Sequence, residues 1–114
     1  MTRSMKIEFL YSRSTGRSPE AEEALQLALE ATSADVEVIY TEVDGSEDAK
    51  HKRFLGSPSI RVEGIDVEYG EREPDEYQSG TRYYNTPEGW KPYPNARLIA
   101  NTILEVLHRE QGKG

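Results

Sequence analysis

In "MKIEFLY", Met5 to Tyr11, apolar and polar residues alternate, with Ile7, Phe9 and Tyr11 on one face and Leu10 on the other. Period two with apolar groups on both sides predicts a central strand buried on both faces. From Ser18 the pattern changes. In "SPEAEEALQLALEA" the residues Ala21, Ala24, Leu25, Ala28 and Leu29 recur at helical spacing behind a hydroxyl cap, a proline and first-turn carboxylates, which predicts a helix with one buried stripe. "ADVEVIYTEV" returns to alternation, with Val36, Val38 and Tyr40 on one face and Ile39 and Val43 on the other. A strand, a helix and a second strand imply a right-handed parallel crossover.

"GSEDAKHKRFLG" reads as a short helix capped by Ser46, acidic at Glu47 and Asp48, and closed by Gly56. "SIRVEGIDVEY" gives two alternating runs around Glu63 and Gly64, the signal of a tight hairpin. A last helix is predicted from about Asn95, with Ile99, Ile103, Val106 and Leu107 inward and His108 and Arg109 near its negative end. Between Gly70 and Pro94 no period is sustained, so residues 70–94 read as one long loop. Tyr77, Tyr83, Tyr84, Trp90 and Tyr93 give that loop more aromatic surface than a disordered segment carries. Tyr83, Tyr84, Trp90 and Tyr93 are expected to pack it on the hairpin as a satellite core, or to line a recognition surface.

The order is therefore β-α-β-α-β-β-α, an α/β fold of one mixed four-stranded sheet with helices on both faces. Residues 1–114 suffice for one domain. The balance of 21 acidic against 14 basic residues, a formal charge of −7, opposes phosphate-backbone contact and anionic membrane, so no nucleic acid and no membrane are expected as partners. The start "MTRSMKIEFLYS" lacks the long apolar segment of a secretory signal, so a cytoplasmic domain is expected.

The chain contains no cysteine, which removes disulfides, thiolate metal sites and dithiol redox chemistry from its own repertoire. Only His51 and His108 offer imidazole, without helical ligand spacing, so no metal and no cofactor are expected.

Three stretches carry a family resemblance. "TGRSP", Thr15 to Pro19, lies at the strand-to-helix turn; "FLGSPSI", Phe54 to Ile60, precedes the third strand; and "TRYY", Thr81 to Tyr84, approaches the last helix. Together with the element order they resemble the thioredoxin-like superfamily, in particular small bacterial thioredoxin-like proteins with an "LGSP" loop. The resemblance implies a three-layer sandwich. It also implies that Thr15 and Ser18 stand where C-x-x-C sulfurs would be, that Pro58 is a cis proline, and that Thr81 replaces the cysteine of a C-R-x-Y segment. Every expected thiol position is thus a hydroxyl, which keeps hydrogen bonding and loses nucleophilicity.

The candidate site residues are Thr15, Gly16, Arg17 and Ser18 of the turn, Ser57 and Pro58 of the loop, and Arg82 and Tyr84. The turn reads either as a hydrogen-bonded cap or, with Ser14, as an anion cradle at a helix start. A cis Pro58 would leave the main chain of Ser57 facing the turn, where an extended peptide, a protein or a thiol compound such as glutathione could pair with it. The expected function is a redox-inactive binding module. The rival expectation is an enzyme resembling glutathione transferases, in which a turn hydroxyl activates a ligand thiol. The acidic stretch Glu68, Glu71, Glu73, Asp75 and Glu76 lacks the spacing of a calcium loop and reads as a solvated face.

Overall fold

Strand β1 (Met5–Ser12) lies inside the sheet, parallel to β2 (Val36–Val43) on one side and antiparallel to β3 (Ser59–Val62) on the other. At Phe9 the register joins Tyr40 across the first pair and Ile60 across the second. Strand β4 (Ile65–Asp66) pairs antiparallel with β3 and completes a four-stranded mixed sheet in the order β2-β1-β3-β4. The computed structural model describes residues 5–68, 70, 77 and 80–112. Among the described residues three helices complete the α/β fold, namely α1 (Pro19–Thr32), α2 (Gly45–His51) and α3 (Ala96–Gly112).

The alternation in β1 divides the core. Ile7 and Phe9 join Ala21, Ala24, Leu25 and Ala28 of α1 and Ile99, Ile103 and Val106 of α3 in the larger cluster. Leu10, which points to the opposite face, packs with Val43, Ala49 and Phe54 beneath α2. Helices therefore cover both faces. Edge strand β2 is less buried than its pattern suggested, with Ile39 and Tyr40 exposed.

Local signals account for most boundaries. Ser18 has extended backbone and accepts from the Ala21 amide at 3.2 Å, with Pro19 in the first turn of α1. Glu63 and Gly64 both take positive φ, 49° and 82°, as a two-residue primed turn between β3 and β4 requires. Asn95 Oδ1 accepts from the Leu98 amide at 2.9 Å and starts α3.

Helix α2 corrects the expected cap. It starts at Gly45, so the cap position falls on Asp44 rather than Ser46, and the Asp44 amide donates to Asp48 Oδ2 at 2.9 Å. It also ends at His51, before Arg53 turns to φ 55°. Strand β4 stops early for a similar reason. The Val67 amide still donates to the Ile60 carbonyl at 3.1 Å, and beyond it the Asp66 carboxylate accepts from the Glu68 amide at 2.9 Å in a side-chain turn.

Residues 70–94 are not loop throughout. Strands β5 (Tyr84–Thr86) and β6 (Gly89–Lys91) form a separate two-stranded hairpin. Its turn is held by Thr86 Oγ1, which accepts from the Glu88 amide at 3.2 Å and donates to the Gly89 carbonyl at 2.6 Å. The expected aromatic satellite core is also corrected. Tyr84 is fully buried in the main core and Tyr93 packs against it, whereas Tyr83 and Trp90 are 57% and 67% exposed. Glu71, Glu73, Asp75 and Glu76 lie outside the described residues. No helix of the described residues is long and apolar enough to cross a membrane.

Candidate functional site

The turn after β1 is stitched to the loop before β3 by hydroxyl groups. Thr15 Oγ1 donates to Ser57 Oγ at 2.7 Å, and the Ser12 amide donates to the same oxygen at 3.0 Å. Gly16 closes the turn through its amide to the Ser12 carbonyl at 2.8 Å, with φ 72°, a conformation that glycine adopts without steric cost. Ser12 Oγ and Ser14 Oγ lie 2.7 Å apart. Ser57 Oγ thus ties the loop to the turn at two points.

The loop is fixed from behind. The Ser57–Pro58 peptide bond is cis, and Tyr84 donates its hydroxyl to the Pro58 carbonyl at 2.5 Å. Arg82 makes two bonds of 2.7 Å to Asp66 and a third, of 3.2 Å, to Ser59 Oγ, and its guanidinium lies 4.4 Å from the centre of the Tyr84 ring. Burial acts to lower the Arg82 pKa, but the Asp66 bonds and the surrounding charges outweigh it and hold the guanidinium above its ordinary value. Burial pushes the Tyr84 phenol well above its ordinary range, with the Arg82 charge acting against it.

The same geometry corrects the expectation of an open main chain at Ser57. Its amide donates to the Gly80 carbonyl and its carbonyl accepts from the Arg82 amide, both at 2.8 Å, forming a parallel bridge with Thr81. The chain itself occupies the pairing edge. Gly56 allows this approach, because a Cβ there would lie 2.8 Å from the Cβ of Arg82 at φ 117°.

Turn and loop enclose a cleft of about 290 Å³. Thr15, Gly16, Arg17 and Ser18 form one wall and Ser57, Pro58 and Thr81 another. Pro19 and Glu20 from the helix start, with Pro92 and Tyr93, complete it. Six of the eight candidate residues therefore border one cavity. Arg82 and Tyr84 do not; they are 4% and 0% exposed and brace the cleft from within. His51 is exposed on α2 and does not line the cleft.

The charges favour a polar cleft over an anion cradle. Arg17 forms an ion pair with Glu22 and lies 3.8 Å above the Tyr40 ring centre, and the hydrogen bond it donates to Glu22 raises its pKa, with burial acting against it. Its charge is already compensated. Glu20 adds a carboxylate at the mouth, 3.3 Å from Ser18 Oγ. The Thr15 hydroxyl has one proton, and Ser57 Oγ, the Ser12 carbonyl and the Gly16 carbonyl all stand within 3.3 Å of it. No imidazole lines the cleft to deprotonate it. Among the described residues, no group of three His, Asp or Glu side chains could hold a metal ion.

Pro19, Glu20, Thr81 and Pro92 line the cleft without being among the eight candidates, and Tyr93 figures only among the loop aromatics that pack or line a recognition surface. The proline pair in "KPYPN" was the available signal, since it stiffens the approach to α3 and sets Tyr93 against the turn. Comparison with protein-family models, with curated proteins and with solved structures finds no match.

Proposed function

We propose that this chain is a thioredoxin-like binding domain without dithiol chemistry, and that its ligand, a short peptide or a small thiol compound such as glutathione, occupies the cleft between the β1–α1 turn and the Pro58 loop. The observation that carries this reading is that Thr15, Ser18 and Pro58 border one cavity of about 290 Å³. Support for the family comes from the strand order β2-β1-β3-β4 and from the turn and the Pro58 loop meeting at one cavity. The chain has no cysteine, so any sulfur in the site belongs to the ligand. The Ser57 hydroxyl and the Glu20 carboxylate supply polar contacts, while Pro19, Pro58, Pro92 and Tyr93 supply apolar walls. A ligand enters by a side chain or a chain end, because the Ser57 main chain is already paired.

The test is chemical-shift mapping of the ¹⁵N-labelled protein with reduced glutathione and with short peptides. Perturbations should cluster at residues 15–18 and 57–59, and Thr81→Trp, which fills the cleft from an exposed position, should abolish them. Perturbations confined to other surfaces would refute the proposal.

A further inference from the structure

We infer that the ligand is a peptide C-terminal end that passes over Tyr93 and places its carboxylate against Lys91 in a second cleft; this rests on the binding reading above. The second cleft, of about 240 Å³, lies between the β5–β6 hairpin and the start of α3, and is lined by Thr86, Pro87, Glu88, Lys91, Tyr93 and Asn95. Tyr93 belongs to both cavities. The two therefore adjoin at one residue, and a molecule lying over Tyr93 reaches both.

The charges set the ligand's direction. Lys91 is half-buried, and its ammonium has no hydrogen bond or ion pair among the described residues. A cation without a counter-charge among the described residues favours an incoming anion. Asn95 has committed Oδ1 to the Leu98 amide, so the hydrogens of Nδ2 are what its side chain still offers, and these suit a carboxylate oxygen. Glu88 shares the cleft but is exposed at the hairpin tip, where water screens it. The first cleft has the opposite character. Its cation, Arg17, is already paired with Glu22, and Glu20 at its mouth is exposed like Glu88. A carboxylate meets a compensated cation there and an uncompensated one beyond Tyr93.

The ligand's form follows from the pairing at Ser57. Its amide and carbonyl are joined to Gly80 and Arg82, so no strand can be added at that edge, and recognition falls to side chains and the chain terminus. An extended tripeptide spans about 10 Å, a length suited to two adjoining cavities.

The experiment titrates the full-length protein with the tripeptide Ala-Ala-Ala, its C-terminal amide, and the free tripeptide against Lys91→Ala, followed by ¹H–¹⁵N correlation spectra. The free peptide should shift residues 15–18 and residues 86–91 together. The amide, which leaves the protein untouched, should bind at least about tenfold more weakly, as loss of a charge-assisted contact requires, and should shift only residues 15–18. Lys91→Ala should reproduce that loss. Equal binding of acid and amide, or shifts at residues 15–18 alone with the free acid, would overturn the inference and leave the cleft assignment standing. Shifts at neither set would overturn both.

Discussion

The Thr15 hydroxyl donates to the Ser57 hydroxyl at 2.7 Å across a sequence separation of 42. The turn at the head of α1 and the loop before β3 are thereby one unit. Combining Thr15→Ala with Ser57→Ala in a double-mutant cycle should give a coupling of about 0.5–1.5 kcal/mol in urea unfolding, the range of a part-buried neutral hydrogen bond. Additive single effects would show that the two hydroxyls act independently.

Gly56 is where segment 80–82 meets the proline loop. Its φ is 117°, and a Cβ added there would stand only 2.8 Å from Arg82 Cβ, which leaves a methyl group no room. Gly56→Ala should lower stability by about 1–3 kcal/mol through backbone strain and displacement of the neighbouring segment. Hydrogen exchange should also speed up at the Ser57 and Arg82 amides, whose bonds this approach permits. Unchanged stability and exchange would contradict that account.

Tyr84→Phe removes the bond to the Pro58 carbonyl and should cost about 1–3 kcal/mol, because the acceptor stays buried. The pH dependence has a definite sign. Burial raises the phenol pKa above its usual 10.0, so the folded protein keeps its proton where the unfolded chain loses it. The stability tied to this group is present below pH 10 and declines as pH rises beyond it. Unfolding curves at pH 8 to 11 should therefore fall less steeply for Tyr84→Phe than for the parent. Parallel curves would exclude this linkage.

Arg82 and Asp66 form a buried, two-bonded ion pair. Arg82→Met leaves the Asp66 charge buried without the guanidinium and should cost about 3–5 kcal/mol, while Arg82→Met with Asp66→Leu should recover part of that loss. A double variant no more stable than the single one would indicate that the pair's other contacts dominate.

These relationships mark how far the sequence could be read. The cap at Ser18, the stripe Ala21, Ala24, Leu25 and Ala28, and the Glu63–Gly64 turn were legible because their signals lie within a few residues. The β5–β6 hairpin was not. Its strands have three residues each, and among them only Tyr84 is buried, so no alternation betrays them. The cap position of α2 falls on Asp44 rather than Ser46, with the Asp44 amide held by Asp48, a contact that residue preference alone does not place. At the site, the resemblance brought together the turn and the loop. It could not reveal that Arg82 turns inward to Asp66, sixteen positions away, or that Gly80 and Arg82 close the main chain of Ser57. Both depend on long-range approach through Gly56.

The most direct test of a ligand cleft between turn and loop is the measurement of intermolecular nuclear Overhauser effects between the protein and bound reduced glutathione or Ala-Ala-Ala. The account predicts contacts from ligand protons to the side chains of Thr15, Pro58 and Tyr93, residues that border the cavity. Contacts confined to the exposed Ile39 and Tyr40 edge or to Trp90 would contradict it.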